Sequence, residues 1–403
     1  MVVKKELLYL CHRIPYPPNK GDKIRSYNLL KHLNKKYRIY LGAFVDDPVD
    51  LSYEVNLQNY CENIFLQYIN PLHRRIISLS GLIKGLPLTL PYYFHPKMQQ
   101  WISYTLKNRP IKNVLIFSSP MAQYVSTNTV STYQRVIDFI DVDSDKWAQY
   151  SLTKPWPLNW VYKREANALL NYERKIALEF DASVFVSREE RDLFSNLVPE
   201  IADKCFYIQN GVDADYFSPD RKYKNPYKNN SKVLVFTGVM DYWANIDAVC
   251  WFAEKVFPGI LNRVPEAEFY IVGTRPSREV KALSKKKGVI VTGSVPDVRL
   301  YLAHAAGAIA PMRISRGVQN KVLEAMSMGL PVLTTPMGAE GIKAKPGVEI
   351  LVSSVVEHMK NMAVEILNGE YDSMGGTARN FILQNYEWEK NLYHFDELLV
   401  SNK

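Results

Sequence analysis

The sequence has few cysteines, and none has the spacing of a metal site or of a disulfide framework. The four cysteines stand alone, with no C-x-x-C pair and no Cys/His cluster: Cys11, Cys61, Cys205 and Cys250. Isolated cysteines of this kind indicate free thiols in a reducing compartment. We therefore expect neither a structural zinc site nor a disulfide-stabilised secreted fold.

Long apolar runs are also missing. No stretch reaches the about 18 uninterrupted apolar residues that identify a membrane-spanning helix. The first apolar run, Leu7–Cys11, is too short for a secretory signal and leads directly into Arg13 and three prolines. These absences predict a cytoplasmic protein, with peripheral contact to the inner face of the cell membrane as an open alternative.

Two glycine-rich nucleotide motifs are absent as well. The chain has no G-x-G-x-x-G, which argues against a dinucleotide cofactor, and no G-x-x-x-x-G-K-[ST], which argues against a P-loop. Because metal-ligand spacings are also absent, the sequence predicts a protein with no cofactor and no bound metal.

Length and charge narrow the possibilities further. A chain of 403 residues with 47% apolar and 23% charged residues is typical of a globular protein with two domains. The net charge of +9 favours an anionic partner, such as a nucleotide diphosphate, an anionic lipid or a nucleic acid. The local basic clusters His73–Arg75 and Lys281–Lys287 are short, which is typical of a solvated surface.

Strand-like and helix-like segments alternate through both halves, which predicts parallel sheets covered by helices. The first half opens with a strand at Glu6–Cys11 and a helix at Asp22–Leu33. The polar segment Lys222–Ser231 is interpreted as an inter-domain linker, after which the alternation restarts. In the second half, helices are predicted at Asn245–Phe257 and Val298–Ala305.

The most informative segment is Pro311–Gly341. A glycine-containing loop, Ser315–Gln319, leads into a helix at about Asn320–Met328 that Gly329 ends, and a buried strand follows. Such a helix start suits a phosphate, because its backbone N–H groups are free. The acid Glu324 on the helix suits a sugar or ribose hydroxyl. This segment therefore predicts a nucleotide-sugar site.

Several motifs together resemble a known family. Three sequence motifs and three predicted strands carry the resemblance. The motifs are IQNGVD with F-SP at Ile208–Pro219, NKVLEAMSMGLPVLTT at Asn320–Thr335, and PYPPNKGDKIRSYNLL at Pro15–Leu30. The strands are those that end in Gly238, Gly273 and Gly293. The chain is similar to glycosyltransferases of the GT-B fold, most of all family four. Two motifs of the first half, Pro15–Leu30 and DFIDVDSDKW at Asp138–Trp147, resemble those of a glycosyltransferase subgroup associated with bacterial exopolysaccharide and exosortase loci.

The resemblance implies an α/β fold of two Rossmann-like domains that face a cleft. Residues 1–207 would form the acceptor-binding domain and residues 208–385 the donor-binding domain. Residues 386–403 would form a C-terminal helix that packs back towards the first domain.

The resemblance also implies a set of donor-binding residues in the second domain. Glu324 would accept hydrogen bonds from ribose hydroxyls, and the loop Gly238–Asn245 would hold the diphosphate. The full set of expected donor contacts is Gly238, Asn245, Arg275, Val295, Asp297, Gln319, Asn320, Lys321 and Glu324. Alternative roles for Asn245 and Asp297 are helix capping, and for Arg275 and Lys321 an exposed surface charge.

The chain departs from the family pattern at one position. The usual motif has two glutamates separated by seven residues, but Arg316 stands eight positions before Glu324. An arginine there would pair with a donor diphosphate or with an acidic sugar, so Arg316 is a candidate catalytic residue.

In the first domain, Gly21 and Arg25 are the expected acceptor or phosphate contacts, with a plain helix start as the alternative. Asp141 and Asp143 are interpreted as the acidic end of a strand, and they are candidate catalytic residues, with His12 and His95 as alternatives. Asp141-x-Asp143 also matches the metal-binding D-x-D motif of the other major sugar-transferase fold, but this motif is common and the two-domain pattern argues against that fold.

The segment His73–Trp101 combines basic and aromatic residues with apolar ones. Such a composition suits a membrane surface that presents a lipid-linked acceptor, and a helical hairpin packed on the core is the alternative. No nucleic-acid-binding module is recognised.

The predicted function is transfer of a sugar from a nucleotide sugar to a glycan or lipid-linked glycan in exopolysaccharide biosynthesis. The family implies retention of anomeric configuration without a metal. Two alternatives stay open, a nucleotide-sugar epimerase of the same fold and a non-catalytic assembly component with a degenerate donor pocket, which Arg316 would favour.

Overall fold

The computed structural model describes residues 4–126, 133–153, 155–228, 231–314 and 317–400. The chain divides into two compact units. One contains the residues up to Gln209 and those from Leu392 onward, and the other contains Asn210–Asn391. The sequence predicts domain boundaries at 207/208 and 385/386. These functional domain bounds stay predictions, because the division into compact units does not test them.

The first unit contains a parallel sheet of seven strands within the described residues, in the order β3-β2-β1-β4-β5-β6-β7. The strands are β1 Lys5–Cys11, β2 Tyr37–Val45, β3 Asn63–Tyr68, β4 Asn113–Phe117, β5 Gln134–Ile140, β6 Ala182–Phe185 and β7 Cys205–Tyr207. The helices of this part are α1 Gly21–Asn34, α2 Glu54–Leu57, α3 Pro71–Ser78, α4 Ser80–Lys84, α5 Thr89–Tyr93, α6 Pro96–Asn108, α7 Asp143–Thr153, α8 Leu158–Glu179 and α9 Arg188–Leu197.

The second unit contains a parallel sheet in the order β10-β9-β8-β11-β12-β13. Its strands are β8 Lys232–Thr237, β9 Ala267–Val272, β10 Val289–Gly293, β11 Gly307–Ala310, β12 Val332–Thr334 and β13 Leu351–Val352. The helices that follow in the chain are α10 Trp243–Trp251, α11 Phe257–Leu261, α12 Arg278–Ala282, α13 Arg299–Leu302, α14 Asn320–Ser327, α15 Val356–Leu367, α16 Asp372–Asn385 and α17 Trp388–Leu399.

Both faces of the second sheet are buried, as the sequence of β8 illustrates. Leu234 and Phe236 pack into an apolar cluster with side chains of α10 and α15. Val233 and Val235 point to the opposite face and pack with side chains of α14 and α16. A nearly continuous apolar run is therefore required in this strand, and the predicted fold class of two parallel-sheet α/β domains is confirmed.

The segment interpreted as an inter-domain linker lies inside the second unit. Within it, Tyr227 is buried and stacks edge-on against Tyr270, and its hydroxyl donates to the carbonyl of Tyr301 at 2.6 Å. The linker interpretation is therefore wrong. It fails because the residues around Tyr227 are polar, so the sequence does not indicate that this tyrosine is packed.

Two predicted helices differ in extent from those observed. The helix predicted at Asn245–Phe257 is α10, which continues as a π-helical segment, Phe252–Val256, into α11. Pro258 lacks the N–H that an α-helical bond to Glu254 would need, so a wider turn is favoured before it. The helix predicted at Val298–Ala305 is only α13, because Ala306 already bonds to β8.

Candidate functional site

The strand order of the second sheet locates its ligand edge. The order reverses between β8 and β11, which are neighbours although two strands separate them in the chain. In open α/β sheets, ligands bind outside the carboxyl ends of the strands at such a point. Gly238 follows β8 there, and Met312 follows β11.

The loops after β8, β9 and β10 are joined by backbone hydrogen bonds. Gly238 donates to the carbonyl of Val272 at 3.0 Å, and Gly273 donates to that of Gly293 at 3.2 Å. A Cβ at Gly273 would lie 1.6 Å from the carbonyl oxygen of Gly238. Glycine is therefore required at position 273, because any side chain would push the two loops apart.

Lys321 lies one residue into α14 and directs its ammonium towards α10. Its Nζ donates to Oδ1 of Asn245 at 2.7 Å and lies 3.5 Å from Oε1 of Gln319. The ammonium also lies 5.1 Å from the centre of the Phe236 ring. Three predicted donor-binding residues are thus brought together around one cation.

Asn245 connects this cation to the loop after β8. Its Nδ2 donates to the carbonyl of Val239 at 2.9 Å, while its Oδ1 accepts from Lys321. Asn245 lies inside α10, whose N-terminal cap is Tyr242, so it does not serve as the cap of this helix. Its amide fixes the distance between the glycine loop and the start of α14.

Glu324 stands one turn after Lys321 on the same helix, and both are half-buried. Desolvation lowers the pKa of Lys321 to about 8, and the nearby Glu324 acts in the opposite direction. Desolvation raises the pKa of Glu324 to about 7, against the effect of Lys321. Both groups therefore titrate close to neutral pH, which is common at functional sites.

Asn320 adds a buried polar atom at the start of α14. Its Oδ1 is buried and has no hydrogen-bond partner among the described residues. A buried acceptor without a partner costs free energy, about 1–3 kcal/mol. A hydroxyl or amine of a ligand at this helix start would satisfy it.

Arg275 lies in the loop after β9, in a left-handed backbone conformation with φ of 53°. Its Nε lies 3.1 Å from Oδ2 of Asp241, and both side chains are exposed. An exposed pair of this kind contributes little stability, so the guanidinium can exchange Asp241 for an anionic ligand.

Asp297 is held by Arg299, two residues later. Its Oδ1 accepts from the backbone N–H of Arg299 at 2.9 Å, and its Oδ2 accepts from Nη2 at 2.7 Å. The Arg299 guanidinium lies 3.6 Å from the centre of the Tyr216 ring. Val295 is half-buried and packs against the apolar cluster beneath α14.

Tyr216 was not anticipated as a site residue. Burial raises its pKa, Arg299 opposes the rise, and Asp297 and then Glu324 add to it, so its hydroxyl lies in the field of both acids. In the sequence, Tyr216 stands within the GVDADYF run, where it looks like one more core aromatic. Only the fold brings it to the Glu324 side of the sheet.

In the first unit, Arg25 has a structural environment. Arg25 and Asp138 are fully buried, and the guanidinium donates to both carboxylate oxygens at 2.7 and 3.2 Å. A third bond reaches the carbonyl of Ile208 at 2.8 Å. The acceptor or phosphate role stays a prediction, and it would require the guanidinium to leave these partners. Gly21 begins α1, with open space around the position of a Cβ.

The acidic run after β5 is a helix start. The strand ends at Ile140, and Asp143 is the first residue of α7, where acids complement the helix dipole. The Lys146 ammonium donates to Asp141 at 2.6 Å and to Asp143 at 3.1 Å. Catalytic roles for these two acids stay predictions, and Lys146 is a partner that sequence reasoning missed.

Arg316, the third candidate catalytic residue, lies outside the described residues.

A buried acid stands behind Asp143 and Lys146. Burial raises the pKa of Glu173 to about 8, with the nearby Asp143 adding to the rise. Its Oε1 accepts from the backbone of Ser144 at 3.3 Å.

Within the described ranges, no group of three or more His, Cys, Asp or Glu side chains could hold a metal ion. The expectations of no metal and no cofactor stay predictions.

The comparison with protein-family models matches residues 231–368, most of the second unit, to the family described as glycosyl transferases group 1. These residues contain the loops after β8, β9 and β10 and the whole of α14. The match ends just after α15, and it does not include Tyr216.

Two curated proteins illustrate the similarity along the chain. An "uncharacterized 44.6 kDa protein in cps region" of Klebsiella pneumoniae is 22% identical over 394 residues, which cover 93% of this chain and 95% of that protein. A "probable sucrose-phosphate synthase" of Thermosipho melanesiensis is 24% identical over 231 residues, which cover 54% of this chain and 53% of that protein.

Solved structures share the fold over almost the whole chain. Anabaena Alr3699/HepE, in complex with UDP and glucose, superposes with a TM-score of 0.69 at 13% identity, covering 98% of this chain and 100% of that one. TarM superposes with a TM-score of 0.68 at 11% identity, covering 99% of each chain. Nothing in these similarities bears on an exosortase locus, so that association stays a prediction. Residues 231–368 form a glycosyl transferases group 1 domain, and the chain as a whole has the GT-B fold.

Proposed function

We propose that this chain transfers a sugar from a nucleotide-sugar donor to a hydroxyl of a glycan or lipid-linked glycan. The proposal includes a role in capsule or exopolysaccharide biosynthesis, retention of anomeric configuration, and no requirement for a metal or another cofactor. The observation that carries it is the arrangement of Lys321, Asn245 and Glu324 at the ligand edge of the second sheet.

The cation at this edge supports binding of the donor diphosphate. The Lys321 ammonium is half-buried beside the start of α14, where the positive end of the helix dipole adds to its field. Arg275 is exposed in the loop after β9 and supplies a second cation. In the reaction, the diphosphate leaves with developing negative charge, and positioned cations of this kind stabilise it.

The acid at this edge supports recognition of the nucleoside. In its ionised form, the Glu324 carboxylate is an acceptor with two oxygens, which suits the paired hydroxyls of a ribose. Among the described residues it has a charge partner, Lys321, but no hydrogen-bond partner that would compete with a ligand. Gly238, Val295, Asp297, Gln319 and Asn320 are proposed as its neighbours in donor binding.

Relatives support the choice of donor and of process. The structure of HepE contains UDP and glucose, and the Klebsiella protein is described as a protein of a cps region. We infer that UDP-sugars are the first donors to test and that a capsule-type polysaccharide is the product. The acceptor is assigned to the first unit, with Gly21, Arg25, Asp141 and Asp143 as candidates and Arg316 as a candidate beside the donor sugar.

The test is donor binding by the Glu324→Ala variant. Titration calorimetry with the nucleotide sugar that stabilises the wild type most in a thermal-shift panel should show a roughly tenfold to hundredfold loss of affinity, the loss expected for one charged hydrogen-bonding group. Glu370→Ala, an exposed acid of the same unit, is the matched control and should bind as the wild type does.

Equal donor affinity in Glu324→Ala and Glu370→Ala would contradict the donor role. Nucleotide release that depends on an added glycan acceptor would support transfer. Accumulation of an epimerised sugar nucleotide in a donor-only incubation would replace transfer by the epimerase alternative.

A further inference from the structure

The first unit exposes an apolar stripe on α3 and α4. Its members follow one another at helical spacings of four, three and four residues: Leu72, Ile76, Leu79 and Ile83. On a helix with about 3.6 residues per turn, these positions lie within about 60° of one another. Their side chains are between 54% and 91% exposed. Leu79, between the two helices, keeps an α-helical backbone, so the stripe is continuous.

A buried arginine fixes the orientation of this stripe. Arg74 is buried on the opposite side of α3, and its Nε donates to the carbonyl of Tyr92 at 2.6 Å. Its Nη2 donates to the carbonyls of Pro91 and Phe94. The helix therefore buries a cation and exposes Leu72 and Ile76, which is the reverse of an ordinary surface helix. Turning the stripe inward would break several charged hydrogen bonds.

Exposed tryptophans lie on α8, the helix that contacts α4, and just before it. Arg164 of α8 donates to the carbonyl of Gly81 at 2.9 Å and to that of Leu86 at 2.8 Å, which ties α8 to α4. Trp160 lies one turn before Arg164 on the same face of α8, and it is exposed, as is Trp156 just before the helix. Tryptophan is the side chain that membrane–water interfaces favour.

The sequence segment that contains the stripe has charge of one sign. Between Glu62 and Asp138 the sequence contains eight Lys and Arg residues and no Asp or Glu, although the net charge of the whole chain is only +9. Arg75 and Lys84 are exposed on either side of the stripe. The positive excess is therefore concentrated in one segment of the first unit, which the short basic clusters of the sequence do not reveal.

We propose that α3 and α4 dock this protein on the surface of an anionic lipid bilayer, with the apolar stripe inserted at the level of the headgroups. Apolar side chains that point outward, interfacial tryptophans and flanking cations are the features of a helix that lies in the membrane surface. The absence of acids from the segment between Glu62 and Asp138 favours anionic lipid over a protein partner, because a protein interface does not require charge of one sign. No helix of the described ranges could span a bilayer.

The experiment is flotation of the full chain with vesicles, and it needs no donor or acceptor. Vesicles of phosphatidylcholine alone are compared with vesicles of equal parts phosphatidylcholine and phosphatidylglycerol. We expect the wild type to float with the anionic vesicles and to dissociate as salt is raised, because salt screens the cations. The result is therefore independent of the proposed function.

The diagnostic variant is the double substitution Ile76→Glu/Ile83→Glu. Its partition onto anionic vesicles should fall roughly tenfold or more, because two apolar anchors become charges that the lipid repels. Val55→Glu is the matched control, since Val55 lies in α2 of the same unit and is 67% exposed, close to Ile76 at 69%. The control should float as the wild type does.

Three results would overturn the proposal: no flotation of the wild type, equal losses in Val55→Glu and the double variant, or equal binding to neutral and anionic vesicles. Sedimentation velocity tests the alternative occupant, a second copy of the chain. A dimer that the double variant abolishes, without any vesicle binding by the wild type, would reassign the stripe to self-association. Thermal unfolding should be unchanged in both variants, because all three side chains are exposed.

Discussion

At the residue scale, the proposed donor site at the ligand edge of the second sheet contains two ionisable groups that share one helix turn. Lys321 and Glu324 each have a pKa shifted towards neutrality by desolvation, while Asn245 holds the ammonium in place. A cation and an anion so close together can bind the two chemically different ends of a nucleotide. Their protonation should therefore be visible in the pH dependence of binding.

Donor affinity should have a maximum between about pH 7 and about pH 8. As the pH rises through about 7, Glu324 ionises and gains its full capacity to accept ribose hydroxyls. Above about 8, Lys321 loses its proton and its attraction for the diphosphate. Calorimetry across this range should use a nucleotide sugar, because the terminal phosphate of a free nucleoside diphosphate titrates near about 6.

Two variants separate the limbs of this profile. Glu324→Gln should remove the rise at low pH, and Lys321→Met should remove the fall at high pH. A profile of unchanged shape in Glu324→Gln would mean that a different group titrates.

The sequence identifies the separate members of this site but not their connections. Lys321 and Glu324 could be predicted because they stand in one short motif that ends in a glycine. The bond from Lys321 to Asn245 joins residues 76 positions apart, and no local pattern encodes such a pairing. Tyr216 was missed for the same reason, since only the tertiary fold brings it to its acids. Lys146 lies only three and five residues after its acids, and it was missed because the start of α7 was interpreted as a strand end.

At the element scale, α14 is positioned by its end as well as by its start. Gly329 follows the helix with a φ of 72°, a conformation that glycine adopts without strain. Its carbonyl oxygen lies against Gly375 of α16, where a Cβ would come within 1.9 Å. The two helices are therefore held at backbone contact, which fixes α14 relative to the sheet below.

Adjacent glycines of α16 should respond in opposite directions to alanine. Gly375→Ala should lower the free energy of unfolding by about 1–3 kcal/mol, because the methyl group overpacks the contact with Gly329. Gly376 has open space around the position of its Cβ, so Gly376→Ala should raise the free energy of unfolding by about 0.5–1 kcal/mol through helix propensity. Urea denaturation measures both, and equal effects would contradict the close contact.

Elements with a single dominant signal were predicted well, and those with mixed signals were not. The strand predicted at Glu6–Cys11 is observed at Lys5–Cys11, because its apolar run is short and uninterrupted. Helix α7 was missed because Asp141 and Asp143 were interpreted as a strand end, although acids also favour the first turn of a helix. The packed tyrosine at position 227 was missed because its neighbours in the sequence are polar.

At the scale of the whole molecule, α17 is the element that belongs to both units. The boundary between the units falls inside it, after Asn391. In the first unit, Phe395 is fully buried and Asp396 accepts from His32 at 2.9 Å and from Lys36 at 2.8 Å. These bonds attach the last helix to α1, so the stability of the first unit should depend on them.

Asp396→Asn should lower the free energy of unfolding by about 1–2 kcal/mol at neutral pH, because a largely buried carboxylate loses charged hydrogen bonds. Burial raises the pKa of Asp396, but the bonds from His32 and Lys36 outweigh it, so the folded-state pKa is lowered. The contribution is therefore complete above the unfolded value of about 3.9 and is lost as the pH falls through the folded one. Urea denaturation at neutral and acid pH measures the difference.

Glu397→Gln is the matched control for this prediction. Glu397 lies next to Asp396 on α17 and pairs with His394, but both of these side chains are largely exposed. An exposed pair contributes little, so the control should change stability by less than about 0.5 kcal/mol. Equal losses in both variants would show that the effect comes from helix charge and not from the buried bonds.

The position of α17 in the chain has a consequence for biosynthesis. The second unit is one uninterrupted segment, but the first unit lacks Phe395 and Asp396 until the last helix leaves the ribosome. A nascent chain therefore carries its first unit incomplete while the whole second unit is translated, with the apolar stripe of α3 and α4 already outside. Cotranslational folding of domains from the N-terminus is the usual order, and this architecture delays completion of the first unit until α17 has been made.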